Sequence, residues 1–228
     1  MAAITFQVAG LWRYPVKTLA GEPLAEAVLT ENGIVGDRLV RVCGPEGTRT
    51  ARRHHRLLGL RGTLGEDATP LIDGYAWHSR EALALIRDAA GDDAWLEPAE
   101  PEDRFDVLPL LVATDGAVDA FGRDIRRLRP NILVGGVPGA QEPSWPGAVL
   151  RIGEDIILHL QSLRGRCVMT TVDPDTLDRD PEVLRDIVRR FGGRLALNAS
   201  VLHGGTIRLG DPVTLAIARI AAGEHAGA

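Results

Sequence analysis

The sequence predicts a mainly β protein with helical insertions, in the α+β class, and three observations lead to this expectation. Short segments of alternating apolar residues or of β-branched residues recur between glycines and prolines along most of the 228-residue chain. Helical periodicity is convincing in few places, and strand-then-helix alternation is absent for most of the chain. A β barrel or sandwich is therefore expected, and a doubly wound α/β fold is not.

The predicted strands are short and are separated by turn residues. Their alternating or β-branched composition is typical of segments that bury one face. In chain order they are residues 4–8, 24–29, 38–42, 57–63, 132–134, 149–152, 156–160, 196–201 and 213–217.

Three segments predict helices. Residues 79–90 open with Ser79, whose side chain can cap the first turn. Residues 181–191 place five apolar side chains on one face, and a glycine pair ends that helix. Residues 123–128 predict a third, shorter helix. The helices are thus insertions in a β-rich chain.

The acidic, proline-bearing stretch 96–104 has the composition of an exposed connector. It divides the chain into an N-terminal part, residues 1–96, and a longer C-terminal part, residues 97–228. With 45% hydrophobic and 25% charged residues, the chain is able to bury a large core. Both one domain and two closely packed halves are compatible with this composition.

Charge and cysteine content narrow the function classes. A net charge of −5 argues against a nucleic-acid partner, because that function depends on a positive surface. No apolar run approaches the roughly 20 residues that span a bilayer, and the N-terminus lacks signal-peptide zones, so we expect no membrane partner and a cytoplasmic location. Cys43 and Cys167 lie far apart in sequence and are expected to be free thiols.

Cys167 lies in the run Arg164-Gly165-Arg166-Cys167, where two arginines flank one of only two thiols. Nearby cations favour the thiolate, which is the form that binds soft metals and attacks electrophiles. The alternative is that Cys167 is a small apolar residue in the core, as most cysteines are. The cysteine run is therefore a candidate reactive or metal-binding site.

Two further segments place cations in loops. Lys17 and Thr18 follow a strand and a proline-fixed bend, so they can hold a phosphate with one charge and one hydroxyl. Asp37 and Arg38 follow a glycine-flanked turn. The alternatives are a solvated lysine and a surface ion pair worth less than about 1 kcal/mol.

A third segment, Arg129-Pro130-Asn131, combines a cation, a proline and an amide. We expect the proline to force an extended backbone at Arg129 and to end the preceding helix. Arg129 and Asn131 then lie on the same face of the strand that follows.

Six motifs in order give the chain a family resemblance. Together they resemble the MOSC superfamily, and within it the chain is similar to the mitochondrial amidoxime-reducing component and its bacterial relatives. Each motif alone is weak, whereas six in the same order over nearly the whole chain are specific. The motifs are Leu11-Trp12-Arg13-Tyr14-Pro15-Val16-Lys17-Thr18, Gly36-Asp37-Arg38, Thr50-Ala51-Arg52, Arg129-Pro130-Asn131-Ile132, Arg166-Cys167-Val168-Met169-Thr170-Thr171-Val172-Asp173-Pro174-Asp175-Thr176 and Gly210-Asp211-Pro212-Val213.

The resemblance implies a β-barrel MOSC domain packed with a smaller N-terminal β-barrel-like domain, and a site to which the Lys17 and Arg38 loops contribute. It also implies a molybdenum cofactor (Moco), whose metal is held by the dithiolene of a molybdopterin and by Cys167. Pyridoxal phosphate binding, attributed to the superfamily as a whole, is a further implication. The residues that match cofactor-binding positions are Lys17, Thr18, Arg38, Arg129, Asn131, Gly165, Arg166 and Asn198.

The chain departs from the family pattern at three places. Gly165 stands where some members have serine, so only its backbone can contribute to cofactor binding. Val107-Leu108-Pro109 lies where eukaryotic members carry a hydroxyl-rich pair before proline, and Asn198 replaces a tyrosine. These departures put individual cofactor and substrate contacts in doubt.

The activity that the resemblance implies is reduction of N-oxygenated compounds, such as hydroxylamines, amidoximes or N-hydroxylated bases. Electrons are expected from a separate protein that carries a flavin, a haem or an iron-sulfur cluster, because the chain has no cluster of four cysteines. Asp173 and Asp175 follow the cysteine closely enough to be candidates for proton delivery. Two alternatives stay open: sulfur transfer through a persulfide on Cys167, and non-catalytic Moco carriage.

Overall fold

The computed structural model describes residues 6–216, and seventeen strands form within them. They are β1 (Phe6–Arg13), β2 (Glu22–Pro23), β3 (Glu26–Thr30), β4 (Gly33–Ile34), β5 (Val40–Gly44), β6 (Gly47–Thr48), β7 (Gly62–Leu64), β8 (Pro70–Ile72), β9 (Tyr75–Ala76), β10 (Trp95–Pro98), β11 (Leu110–Thr114), β12 (Ile132–Gly135), β13 (Val149–Ile152), β14 (Ile156–Gly165), β15 (Arg194–His203), β16 (Gly205–Arg208) and β17 (Pro212–Ala216).

Four α-helices and four short 3₁₀ helices interrupt the strands in the described part of the chain. The α-helices are α1 (Arg80–Ala90), α2 (Pro101–Arg104), α3 (Asp115–Phe121) and α4 (Pro181–Phe191). The 3₁₀ helices are His55–Gly59, Ile125–Arg127, Glu142–Ser144 and Val168–Thr171. None of these helices is long and apolar enough to cross a membrane.

Seven strands close a barrel in the order β12-β11-β15-β14-β13-β17-β1, because β1 pairs with both β17 and β12. The β11–β12 pair is parallel and the other neighbours are antiparallel. Alternating residues such as Leu150 and Ile152 on β13 point into a fully buried core. The mainly β prediction is confirmed, and a strand from the N-terminal part completes a barrel of C-terminal strands.

A second apolar core lies within the N-terminal part, between α1 and the strands that precede it. Ala82, Ile86 and Ala90 recur every four residues on α1 and bury one face of the helix against Val42 and Leu57. The small sheets β10-β5-β6 and β7-β8-β9 surround this core. The third small sheet, β16-β3-β4, instead joins an N-terminal hairpin to a C-terminal strand.

The predicted connector 96–104 is partly ordered structure. Residues 95–98 form β10, which pairs with β5, and residues 101–104 form α2. The strand crosses the expected division at residue 96, so a boundary at that point stays a prediction. The acidic composition of this stretch reflects its half-exposed position at a sheet edge.

The two long helices agree with the sequence. The Ser79 side chain accepts a hydrogen bond from the N–H of Ala82, as the N-cap prediction required. In α4, Asp180 caps the first turn, and Gly192 ends the helix at a φ of +60°. Val183 and Ile187 are the buried side chains of this helix.

Several other segments differ from the sequence expectations. Residues 123–128 form only a 3₁₀ turn, and α3 was not predicted. Within 57–63, the first half is part of a 3₁₀ helix that encloses Leu57, and only the end is strand. The strand predicted at 24–29 begins only at Glu26, and the one predicted at 38–42 begins at Val40. Residues 4, 5 and 217 lie outside the described part of the chain.

Trp145 offers a stability test of the barrel core. Its side chain is fully buried beside Phe6, with 5.8 Å between ring centroids, and its indole N–H has no hydrogen-bond partner within residues 6–216. Trp145→Phe loses ring volume but removes a buried unpaired donor that costs about 1–3 kcal/mol. We expect the free energy of unfolding to change by no more than about 1 kcal/mol.

Urea unfolding of Trp145→Phe and of Trp145→Leu measures how far removal of the unpaired donor offsets the loss of ring volume. The leucine variant also removes the N–H but leaves a larger void, so it is expected to be less stable than the phenylalanine variant. A loss of about 3 kcal/mol or more in the phenylalanine variant would contradict a cost from the unpaired indole donor.

Candidate functional site

Nine of the eleven residues that the sequence assigned to the site line a cavity of about 340 Å³. Strand ends, turns and loops from both parts of the chain form its wall. The nine residues are Lys17, Thr18, Arg38, Arg129, Asn131, Gly165, Arg166, Cys167 and Asn198.

Backbone hydrogen bonds join the two N-terminal loops of the cavity. The N–H of Lys17 donates to the carbonyl of Val40 at 2.7 Å, and the N–H of Arg38 donates to the carbonyl of Tyr14 at 2.8 Å. These bonds fix the loop that follows β1 against the loop that precedes β5. The loop that carries Lys17 and Thr18 and the turn that carries Asp37 and Arg38 are therefore held together by backbone hydrogen bonds.

Three cavity residues have left-handed backbone, which only glycine adopts without strain. The φ angles are +85° at Thr18, +51° at Arg38 and +57° at Arg129. Each such residue costs about 1–3 kcal/mol, and strain of this kind concentrates at functional sites. The expectation of an extended backbone at Arg129 is wrong, because this turn directs the chain back towards Tyr14.

Asp37 is a fully buried carboxylate that ties these loops together. It accepts hydrogen bonds from the N–H of Tyr14 at 2.6 Å and from Asn131 Nδ2 at 3.1 Å, and it forms an ion pair with Arg38. Burial raises the pKa of Asp37 above its usual value, against the opposing effect of Arg38. The alternative of a surface Asp-Arg pair is therefore wrong.

The Asn131 side chain is already bonded within the protein. Its oxygen accepts from the N–H of Leu111 at 3.1 Å, and its nitrogen donates to the carbonyl of Trp12 at 3.3 Å as well as to Asp37. It thus joins β11, the end of β1 and the Asp37 turn. Its direct contact with a cofactor stays a prediction.

Two arginines place largely uncompensated positive charge at the cavity wall. The Arg129 guanidinium lies 4.4 Å from the centre of the Tyr14 ring. Burial lowers the pKa of Arg129 and of Arg166 to about 10, and it raises the pKa of Tyr14 to about 12. Both arginines are therefore charged and the tyrosine is neutral at pH 7.

Arg166 retains unused hydrogen-bonding capacity. Its Nη2 donates to the carbonyl of Leu128 at 2.8 Å, but its buried Nε has no partner within residues 6–216. A buried unpaired donor on a cationic side chain is rare and costly. Because this side chain lines the cavity, it has the chemistry that an anionic or polar ligand would satisfy.

Cys167 follows β14 and precedes the 3₁₀ helix Val168–Thr171. Its carbonyl accepts from both the N–H and the hydroxyl of Thr170, at 3.0 and 2.9 Å. The buried Arg127 donates to the carbonyl of Thr170 at 3.2 Å, and this hydrogen bond helps to fix the turn. The thiol is thus presented at the cavity wall by a rigid turn.

The two candidates for proton delivery, Asp173 and Asp175, do not line the cavity. The Asp173 carboxylate accepts from the backbone N–H groups of Thr176 and Asp175 and from Arg127 at 2.7 Å, and these bonds hold the pKa of Asp173 below its usual value. Asp175 pairs with the exposed Arg126. The role of Asp173 in proton delivery stays a prediction.

Four charged residues that were not assigned to the site also line the cavity: Arg52, Asp106, Arg127 and Arg164. Arg52 belongs to the Thr50-Ala51-Arg52 motif, and Arg164 flanks the cysteine, so both carried a sequence signal. Asp106 carried none, because it resembled the solvated acids of the connector. It is the single acid among the described residues that line the cavity.

The departures from the family pattern have visible consequences. A Cβ built on Gly165 would meet nothing within 4 Å, so the space of a serine side chain is present. Asn198 donates to Ser162 Oγ at 3.1 Å and accepts from Arg164 at 3.3 Å, so its amide orients an arginine. Val107 and Leu108 contribute an apolar section of the wall.

Comparisons with known proteins agree with this architecture. The family profile described as MOSC N-terminal beta barrel domain matches residues 5–77, and the MOSC domain profile matches residues 114–214. Human mitochondrial amidoxime-reducing component 1 is 28% identical over 280 residues, which cover 91% of this chain and 82% of that protein.

Two further similarities extend the comparison. Molybdenum cofactor sulfurase of Anopheles gambiae is 30% identical over 175 residues, covering 77% of this chain and 19% of that protein. The crystal structure of the YUAD protein from Bacillus subtilis superposes with a TM-score of 0.52 at 13% identity, covering 92% of this chain and 95% of that one. At this identity the superposition supports the fold alone.

Proposed function

Because the chain belongs to the MOSC superfamily, we propose that its cationic cavity binds a molybdenum cofactor and that the protein reduces N-oxygenated compounds. The observation that carries the proposal is the convergence of Cys167 with Lys17, Arg129 and Arg166 in one cavity. A soft thiolate suits molybdenum, and the cations suit the phosphate of a molybdopterin.

The residues present fit such a group. Lys17 supplies a point charge, and the buried Thr18 beside it supplies a hydroxyl. The unpaired Nε of Arg166 supplies a donor next to the thiol of Cys167. Together they would hold a phosphate at the Lys17 end of the cavity and the metal at the Cys167 end.

The proposed reaction converts an N–OH group, two electrons and two protons into an N–H group and water. The bound cofactor supplies a two-electron centre for this chemistry. Arg129 and Arg166, with pKa values of about 10, stay protonated at neutral pH, so they hold anions and deliver no proton. Asp173 is ionised at neutral pH, so in the proposed role it accepts a hydrogen bond from a water molecule and orients that water as the proton source.

The electrons come, in this proposal, from a separate protein that carries a flavin, a haem or an iron-sulfur cluster. The similarity to the amidoxime-reducing component supports this arrangement. The substrates are hydroxylamines, amidoximes or N-hydroxylated bases, and a cytoplasmic location belongs to the same proposal.

Sulfur transfer is the second candidate, and the similarity to a molybdenum cofactor sulfurase favours it. In that reaction, Cys167 would carry a persulfide whose outer sulfur passes to an acceptor, which leaves the Cys167 thiolate behind. The flanking Arg166 would stabilise either form of the sulfur. The two functions need the same residues but differ in what the purified protein carries.

The test is to purify the protein from a host that makes the cofactor, and to measure molybdenum and turnover together. We expect stoichiometric molybdenum by mass spectrometry and reduction of an aryl amidoxime with reduced viologen as the electron donor. Molybdenum without turnover would support a carrier instead. Sulfur that cyanide releases as thiocyanate would support sulfur transfer, and neither molybdenum nor such sulfur would contradict both proposals.

A further inference from the structure

Asp106 lies at the centre of three cations in the cavity. One carboxylate oxygen is 3.3 Å from Lys17 Nζ, and the other is 3.2 Å from Arg52 Nη2 and 3.2 Å from Arg164 Nη2. We call Lys17, Arg52 and Arg164 the cation trio. Its members come from the loop after β1, the loop after β6 and the end of β14, so one anion joins both parts of the chain.

The charges within this cluster do not balance. Three cations face one carboxylate, which leaves two positive charges for another anion. Burial acts to raise the pKa of Asp106, but the positive charges of Lys17, Arg164 and Arg52 outweigh it and hold the pKa below the usual value. The carboxylate is therefore ionised at neutral pH and already fills the position of an anionic ligand.

The carboxylate is more exposed than the two inner cations. The Asp106 side chain is 38% exposed, against 15% for Lys17 and 23% for Arg164, whereas Arg52 at the rim is 51% exposed. Asp106 is therefore able to turn into water while Lys17 and Arg164 stay at the wall. A ligand phosphate would then meet the cation trio without its internal counter-ion.

We propose that Asp106 is a specificity-determining residue, an internal anion that the phosphate group of a ligand must displace from the cation trio. The inference rests on the proposed function, because the cofactor's phosphomonoester is the ligand it concerns. A monoanion replaces one negative charge by another, so it gains little binding free energy when it displaces Asp106. A phosphomonoester dianion brings two negative charges and three oxygens, so its displacement of Asp106 is favourable. Asp106 thus excludes weakly bound monoanions.

Methyl phosphate and dimethyl phosphate test this inference at pH 8. The first is a dianion and the second a monoanion with the same phosphorus centre. The full chain is purified from a host that lacks the cofactor, and each ligand is titrated by calorimetry at low salt. This experiment involves no molybdenum, so its outcome is separate from that of the proposed function.

We expect Asp106→Asn to bind both ligands more tightly by a similar factor, about tenfold or more. The substitution removes the carboxylate that each ligand must displace in the parent, so both ligands gain equally. Dimethyl phosphate binding, undetectable in the parent, becomes measurable. Asp88→Asn is the matched control, because Asp88 pairs with Arg56 and neither residue lines the cavity. That variant is expected to bind both ligands like the parent.

Three results would overturn the proposal. Unchanged or weaker methyl phosphate binding in Asp106→Asn would mean that the carboxylate orients the trio. A gain confined to the dianion would mean that the carboxylate repels ligands without leaving. No phosphate binding in either protein would mean that the trio is no anion site. Asp106→Ser repeats the test if the asparagine variant fails to fold.

Lys17 gives a direct readout, because it is the only lysine in the chain. Reductive methylation with a ¹³C label marks Lys17 and the amino terminus alone. We expect the Lys17 signal to move when methyl phosphate is added to the parent and, without ligand, when Asp106 becomes asparagine. A signal that does not move in the ligand-free variant would contradict the Lys17–Asp106 contact.

Discussion

Cys167→Ala is expected to lose molybdenum and to reduce amidoxime turnover by about 100-fold or more. The thiolate is the proposed protein ligand to the metal. Even substitutions of residues that only hydrogen-bond to metal ligands lower metal affinity or activity by about 10–100-fold. The fold should persist, because the turn at Cys167 is held by backbone bonds to Thr170 and by Arg127. Mass spectrometry of molybdenum and viologen-coupled turnover measure the loss.

Cys43→Ala is the matched control, since it removes the other thiol of the chain. Cys43 is buried and donates to Glu97 at 3.2 Å, and burial together with this contact raises its pKa to about 11. It is therefore a protonated thiol at pH 8, and it does not line the cavity. Molybdenum and turnover equal to the parent are expected, and full loading of Cys167→Ala would refute the proposed metal ligand.

The sequence predicted those strands and helices that depend on residue alternation, amphipathic periodicity and capping residues within the segment itself. The alternation in 149–152 and the capped amphipathic pattern in 181–191 each became the expected strand or helix. Barrel closure was not predictable, because β1 pairs with β12 more than 100 residues away and no local pattern encodes that partner. The helix α3 was missed since it is short and contains a glycine.

The site was predictable as a set of residues but not as an arrangement. Motif order placed Lys17, Arg129 and Cys167 in one site, and the cavity contains all three. A carboxylate beside an arginine in a glycine turn, however, has the same composition whether it is exposed or buried. The environment of Asp37 is made by Tyr14 and Asn131, which are distant from it in sequence and donate hydrogen bonds to it in the folded chain.

Asp37→Ala is expected to lower the free energy of unfolding by about 3–5 kcal/mol, because it leaves the Arg38 charge without its partner in a buried setting. The N–H of Tyr14 and the amide of Asn131 also lose their acceptor. The loops carrying Lys17 and Arg38 lose their common anchor, so methyl phosphate binding should weaken as well. Urea unfolding and calorimetry measure the two effects.

Asp88→Ala provides the comparison, because Asp88 also pairs with an arginine, Arg56, but both side chains are mostly exposed. Exposed pairs contribute about 0.2–1 kcal/mol, so this variant should unfold close to the parent. Both variants remove an aspartate from an arginine, so the contrast reflects the burial of Asp37 and its two further hydrogen bonds. A loss below about 1 kcal/mol in Asp37→Ala would mean that Asp37 stabilises the protein no more than an exposed ion pair does. It would then contradict the role of Asp37 in holding the cavity loops together.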